Sequence, residues 1–203
     1  MLLFFRIQPI KKIDVNPYAT VSIKGLGIDP LPKKVKYSVY EDRDGQLVNG
    51  NYIIKGNESK NMISIFIKIN DNSLVKDIVN VFDKNNAKVN LIVSNLNNIN
   101  EYISYVKNGH YVLYSGESNK DLKEFKSTLN LENNFCISLY NNSTLDNCFK
   151  NNFYVLKTNN IYKDNILYNT KANLEKGEFY VFYENKNTLE EISALIKFIK
   201  GKN

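Results

Sequence analysis

The chain has 203 residues, of which 43% are hydrophobic and 24% are charged, a balance typical of a folded globular protein rather than a disordered one. Its formal net charge is +6, but the lysines are scattered and no recognised nucleic-acid-binding motif is present, which argues against a nucleic-acid partner. The apolar start of the chain, residues 1–5, is too short for a secretory signal, and no segment of the sequence is apolar over the length that a membrane span needs.

The first sixty residues contain strand-like segments and no convincing helix. Residues 18–23 and 35–40 are rich in β-branched and aromatic side chains, which favour strands. Residues 42–45 end in Asp-Gly, a pair that tolerates the positive φ of a hairpin turn, and residues 50–56 form the predicted returning strand. The sequence therefore predicts a small antiparallel β unit over residues 1–60.

From residue 61 onward, predicted strands and helices alternate. The predicted strands are 62–69, 89–93, 110–114, 135–139, 153–156 and 178–183. The predicted helices are 73–85, 98–107, 120–129, 143–149, 166–174 and a last one from residue 188. Local signals predict Ser73 and Ser143 as N-caps, Thr188 with Glu191 as a capping box, and Gly109 as a C-cap. Such alternation predicts an α/β domain over residues 61–203, with parallel strands and outer helices in a sheet or a barrel.

Folds of this kind place their functional sites where the parallel strands end. The segments at these ends are 67–71, 94–97, 115–119, 140–142, 157–160 and 183–185. They contain mostly Asn, Ser and Lys, and none of the common hydrolase or nucleotide-binding motifs is present in the chain. The single histidine, His110, cannot supply the three protein ligands that a catalytic zinc ion usually has.

The two cysteines, Cys136 and Cys148, are too few for a four-ligand zinc site. One interpretation is that both are small buried hydrophobic residues. The other is a disulfide bond, which requires an oxidising compartment. The sequence leaves both interpretations open.

Three segments resemble the polysaccharide deacetylases, the NodB-homology domain of carbohydrate esterases, over roughly residues 61–200. Residues 77–93, DIVNVFDKNNAKVNLIV, are similar to the family's helix-to-strand block KILDILKKYNVKATFF. Residues 105–110, YVKNGH, resemble its run into a Gly-His pair, and residues 176–183, KGEFYVFY, resemble its closing strand GGIILLHD. The resemblance implies a distorted (β/α) barrel of NodB type, preceded here by the small N-terminal antiparallel β unit.

The family's working residues do not recur at the matching positions. An ungapped alignment places its catalytic-base Asp on Ile67 and its metal-binding Asp on Lys68, although a shift of two to four residues would bring Asp71 nearer. Its two ligand histidines fall on Ser115 and Asn119.

At the end of the alignment, the family's catalytic-acid His falls on Tyr183 and the following Asp on Glu184. The arginine of a further family loop falls near Cys136. The Gly-His pair is matched by Gly109 and His110, but in the family that histidine is not a metal ligand, so the resemblance makes His110 a scaffold residue.

The resemblance and these departures predict a catalytically inactive protein without the family's zinc or similar divalent ion, because an ammonium at Lys68 opposes the binding of a cation. The family's setting implies a cell-wall glycan or an envelope protein as the partner and an extracytoplasmic location. A remaining groove is predicted from Asp71, His110, Tyr114, Tyr140 and Glu184.

Two alternatives stay open. The first is an active hydrolase, in which Asp71 and Glu184 converge and perform acid–base chemistry without a metal ion. The second is an interaction module in which an exposed edge of the N-terminal β unit pairs with a partner strand.

Overall fold

The computed structural model of the chain describes residues 39–41, 47–49, 52–59, 62–115, 119–129, 135–139, 145–151 and 153–202. The predicted strand 18–23, the predicted turn 42–45, the predicted cap Ser143 and the predicted groove residue Tyr140 lie outside these ranges.

Strands and helices alternate along most of the described chain. The strands are β1 (Val39–Glu41), β2 (Leu47–Asn49), β3 (Tyr52–Lys55), β4 (Ser64–Lys68), β5 (Asn90–Val93), β6 (Tyr111–Tyr114), β7 (Phe135–Ser138), β8 (Tyr154–Lys157), β9 (Asn160–Tyr162) and β10 (Phe179–Tyr183). The helices are α1 (Val75–Lys84), α2 (Ile99–Lys107), α3 (Asn119–Thr128), α4 (Leu145–Lys150), α5 (Ile166–Ala172) and α6 (Lys186–Lys202).

The strands form one sheet in the order β1-β2-β3-β8-β7-β6-β5-β4-β10-β9. In the sheet, the strands β3, β8, β7, β6, β5, β4, β10 and β9 run parallel and curl into a half-barrel. This confirms the predicted distorted (β/α) barrel. The first three strands pair antiparallel, as the sequence predicts for the N-terminal unit. The strand that returns to β1 is β2, which is absent from the sequence prediction, whereas the predicted returning strand 50–56 contains β3, which pairs with β2. Because β3 also pairs parallel with β8, this unit continues the edge of the main sheet. The division of the chain at residue 60 stays a prediction.

Apolar side chains cover both faces of the sheet, as expected for parallel strands flanked by helices. One cluster includes residues of the strands and of the facing helices, among them Ile67, Ile78, Phe82, Leu91, Ile192 and Ile196. The other consists of strand residues and the residue after β7, among them Ile53, Phe66, Ile92, Leu113, Ile137 and Val181. Alternate residues of a strand therefore face the helices and the interior of the half-barrel.

Strand β9 is absent from the sequence prediction. Only residues 158–159 separate it from β8, yet β8 pairs with β3 and β7 while β9 pairs with β10. A connection this short spans about 10 Å, so the chain brings the two ends of the parallel array close together. The hydroxyl of Thr158 supports the passage, since it donates to the carbonyl of Phe179 at 2.6 Å and accepts from the N–H of Asn160 at 3.0 Å.

Two predicted helix caps are wrong. Helix α1 begins at Val75 rather than after Ser73, and no side chain of its own N-terminus caps it. Helix α6 begins at Lys186, where the side-chain oxygen of Asn185 accepts from the N–H of Thr188 at 2.8 Å. The predicted capping-box partner Glu191 accepts from the first turn of α5 instead.

The predicted role of Gly109 in ending α2 is confirmed, with Asn108 as the C-cap and Gly109 as the residue after it. Gly109 has φ +84°, and its N–H donates to the carbonyl of Val106 at 2.9 Å. The N–H of His110 donates to the carbonyl of Tyr105 at 3.0 Å, which completes a Schellman-type helix end. This turn delivers His110 to the start of β6.

Cys136 of β7 and Cys148 of α4 form a disulfide bond, and both are fully buried. The bond joins a strand to the helix that covers it. Among the helices of the described residues, none has the length and apolarity needed to cross a membrane.

Candidate functional site

The candidate site lies where β4 and β10 end side by side. Lys68 and Tyr183 are register partners at the ends of these two strands. The chain after β4 forms the β4–α1 loop, residues 69–74, and the chain after β10 continues into Glu184. The N–H of Glu184 donates to the carbonyl of Lys68 at 2.9 Å, which extends the pairing to the rim.

The carboxylate of Glu184 is the centre of this rim. The residue is only 4% exposed. Its Oε2 accepts from the backbone N–H groups of Asn70, Asp71 and Asn72, at 2.8, 3.2 and 3.1 Å. Its Oε1 accepts from the N–H of Leu74 at 2.8 Å. Since Leu74 is the N-cap residue of α1, the carboxylate also places negative charge at the positive end of that helix.

These contacts explain the missing local cap of α1. Glu184 supplies the cap from a strand end 110 residues further along the chain. The donors that Glu184 binds are main-chain N–H groups, so no side-chain motif in residues 69–74 indicates that they hold a carboxylate. Two signals in the sequence indicate this position: residues 183–185 follow a predicted strand, and the alignment pairs Glu184 with a site residue of the deacetylases.

The structure brings Asp71 next to Glu184, but the two carboxylates have different partners. Asp71 contacts Glu184 through its backbone N–H. Its exposed side chain accepts from the N–H of Ser73 at 2.9 Å, within the same loop. The hydrogen bonds from Ser73 lower the pKa of Asp71 below its ordinary value.

The other rim positions differ in exposure. Ile67 is fully buried and packs in the cluster that faces the helices. Lys68 and Tyr183 are partly buried at the strand ends, and the ammonium of Lys163 lies 5.3 Å from the centre of the Tyr183 ring. Ser115 follows β6 and is 8% exposed.

Two further predicted site residues, Tyr114 and Asn119, belong to β6 and to α3. Tyr114 is fully buried, and its ring centre lies 5.5 Å from that of Phe125. It therefore belongs to the layer between the sheet and α3. Asn119 is the first residue of α3.

His110 lies at the opposite end of the strands, before β6. Its Nδ1 accepts from the N–H of Val89 at 3.2 Å, so the ring proton lies on Nε2, which is 3.2 Å from a carboxylate oxygen of Asp83. Lys88 binds the same carboxylate at 2.7 Å. Burial lowers the pKa of His110 below its ordinary value. The structure therefore does not bring His110 together with Asp71 and Glu184.

Within the described ranges, no group of three or more His, Cys, Asp or Glu side chains is placed to hold a metal ion. The chemistry that the described rim offers is that of a carboxylate buried against main-chain donors, an exposed carboxylate, and lysine ammonium groups.

Comparison with known sequences gives no match, either to a family model or to a curated protein. Comparison with solved structures does. The peptidoglycan N-acetylglucosamine deacetylase Bc1960 has a TM-score of 0.62 at 14% identity, over 75% of this chain and 87% of that one. The pseudoenzyme BA3943 of the CE4 family, from Bacillus anthracis, has a TM-score of 0.59 at 11% identity, over 75% of this chain and 65% of that one.

A family 4 carbohydrate esterase from Streptomyces lividans also has a TM-score of 0.59 at 11% identity, over 69% of this chain and 88% of that one. Similarity at such low identity shows the fold and leaves function to be argued from the site. The described chain has the NodB-type fold of the family 4 polysaccharide deacetylases.

Proposed function

We propose that this protein is a catalytically inactive, polysaccharide-deacetylase-like protein that acts as a binding scaffold for cell-envelope glycan. The observation that carries the proposal is the hydrogen bonding of the Glu184 carboxylate, which accepts from four backbone N–H groups. A general acid or base must reach a proton of the substrate or of a water molecule. Using Glu184 in that way would require the β4–α1 loop to give up its anchor, so its contacts support a structural role.

Substitutions at the aligned positions support the same proposal. The ungapped alignment with the deacetylases places their catalytic base on Ile67 and a metal ligand on Lys68, and a shift of two to four residues would bring only Asp71 nearer. An ammonium at Lys68 opposes the binding of a divalent cation. Ser115 and Asn119 stand where the ligand histidines fall. One protein with this fold, BA3943, is a pseudoenzyme of the CE4 family, which gives the proposal a precedent.

The disulfide supports an extracytoplasmic location. Disulfide bonds persist in oxidising compartments and are rare where glutathione and thioredoxin keep thiols reduced. Cys136 and Cys148 are paired and fully buried. A protein that meets envelope glycan would fold in such a compartment.

Acetate release and glycan binding, measured on the same preparation, test the proposal. We expect no acetate above the buffer blank from acetylated chitooligosaccharides or peptidoglycan, with or without added Zn²⁺, and we expect the protein to sediment with insoluble peptidoglycan. Acetate release that persists in EDTA and disappears in Asp71→Asn would instead establish the metal-free hydrolase. Failure to bind any wall glycan at millimolar concentration would refute the glycan scaffold and leave an envelope protein as the partner to seek.

A further inference from the structure

A groove of about 720 Å³ opens where the chain passes from β8 to β9. Its walls are Tyr52 and Ile54 of β3, residues 157–160 of the passage, and Glu178, which precedes β10. This volume lies within the range of about 300–1,000 Å³ that is usual for small-molecule sites.

The groove is separate from the rim at Glu184. Glu178 and Glu184 lie at opposite ends of β10, one residue before it and one after it. A strand rises about 3.3 Å per residue, so these two positions are about 20 Å apart.

One wall of the groove is polar and fixed. The amide nitrogen of Asn160 donates to Glu178 at 2.9 Å, and the hydroxyl of Tyr162 donates to the amide oxygen of Asn160 at 3.2 Å. Glu178 also lies 3.5 Å from the ammonium of Lys55. Each of these groups keeps hydrogen-bonding capacity, because a carboxylate has about four acceptor sites and an amide nitrogen has two donor hydrogens.

The lining of the groove also includes a cation and an aromatic ring. The exposed Lys157 places its ammonium 5.7 Å from the centre of the Tyr52 ring. That ring is held edge-on against Phe149, with ring centres 5.4 Å apart. Among the described residues, no carboxylate lies within ion-pair distance of Lys157, and the exposed amide of Asn159 is adjacent in the chain.

We propose that this groove binds an acidic saccharide, a hydroxyl-rich ligand that bears a carboxylate. Lys157 pairs with the ligand carboxylate, while Asn160 and Glu178 exchange hydrogen bonds with hydroxyls, which both donate and accept. The charge of Glu178 repels an anion at its own end of the groove, so the carboxylate is oriented toward Lys157. The ring of Tyr52 gives the ligand an apolar surface to lie against.

This inference rests on the proposed glycan binding and names a site and a ligand class for it. The test uses two disaccharides titrated into the full chain by calorimetry: GlcNAc–MurNAc, which has a carboxylate, and chitobiose, which lacks one. Lys157→Gln removes the charge and keeps the length of the side chain. Lys171→Gln is the matched control, because Lys171 is also exposed, also places its ammonium over an aromatic ring, that of Phe198, and does not line the groove.

We expect GlcNAc–MurNAc to bind more tightly than chitobiose. Loss of a hydrogen bond to a charged group corresponds to about a tenfold loss of affinity or more. We therefore expect Lys157→Gln to weaken GlcNAc–MurNAc binding about tenfold and to leave chitobiose binding unchanged, while Lys171→Gln changes neither. Ligand-induced shifts of the side-chain amide signals of Asn159 and Asn160 in NMR spectra would locate the ligand independently.

Two results would overturn the inference, and they are distinguishable. If GlcNAc–MurNAc binds wild type and Lys157→Gln equally, or if Lys171→Gln weakens its binding instead, the groove is not the site and the proposed function stands. If neither the disaccharides nor peptidoglycan bind wild type, glycan binding itself is refuted, and the groove assignment is refuted with it.

Discussion

Replacing Glu184 by alanine would remove the shared acceptor of the β4–α1 loop. Four backbone N–H groups, those of Asn70, Asp71, Asn72 and Leu74, would lose their partner at once. The start of α1 would also lose the negative charge that lies at its positive end.

The size of the effect follows from these contacts. A hydrogen bond to a charged group contributes about 1.5–3 kcal/mol. The four bonds share one carboxylate, so their contributions do not add in full, and Asn70 and Asp71 are exposed, so water would reach some of the released donors. We therefore expect Glu184→Ala to lower the free energy of unfolding by about 4 kcal/mol, the equivalent of roughly two such bonds. Glu184→Gln keeps one acceptor oxygen and should lose about half as much, roughly 2 kcal/mol.

Urea denaturation of the two variants beside Glu190→Ala measures these changes. Glu190 is an exposed glutamate of α6, the helix that follows Glu184. Its replacement should leave the free energy of unfolding within about 0.5 kcal/mol of the wild-type value. For a chain of this size, a loss of about 4 kcal/mol corresponds to a melting temperature lower by about 8–16 °C. A loss below about 1 kcal/mol for Glu184→Ala, at an unchanged denaturant slope, would show that the carboxylate does not anchor the loop.

Three further predictions concern stability. Replacing both Cys136 and Cys148 by alanine opens a covalent loop with a sequence separation of 12, and chain entropy predicts a loss of about 3 kcal/mol, measured by urea denaturation against the oxidised wild type. The pKa of His110 is lower in the folded chain than its unfolded value of 6.5. The stability that the neutral histidine contributes is therefore complete above pH 6.5 and is lost as pH falls below that value. Between pH 7 and 5, the melting temperature of His110→Gln should therefore fall less than that of wild type. Gly177 has φ +78°, and an added Cβ would lie 2.6 Å from a backbone oxygen, so Gly177→Ala should cost about 2 kcal/mol or more, whereas Gly201→Ala, with open space around it, should cost nothing in the same melt.

Most of the half-barrel follows from local patterns in the sequence. The apolar runs of β4, β5 and β10 are buried on both faces, and a strand with this burial reads as a continuous run of hydrophobic residues. Strand β9 is different because it has three residues, and all three are only partly buried. A segment so short has no hydrophobic period, so its pairing with β10 is fixed by the passage from β8 and not by its own composition.

The sequence indicates the region of the candidate site but not its contacts. The segments after all six predicted strands are candidates, because strand ends meet at one edge of a parallel sheet, and the ends of β4 and β10 are two of them. The sequence assigns the start of α1 to Ser73, because capping rules consider only neighbouring residues. The cap comes from Glu184 instead of Ser73, because Glu184 carries a full negative charge and its position is fixed by the pairing of β10 with β4.

The distance along the chain between the β4–α1 loop and its anchor also bears on synthesis. The hydrogen bonds to Glu184 span 110–114 residues, and a ribosome adds about 5–20 residues per second, so the anchor emerges roughly 5–25 s after the loop. Throughout that interval the edge of β4 that later receives β10 has no partner strand, and a nascent chain stalled before residue 179 would keep this edge open to aggregation or to chaperones.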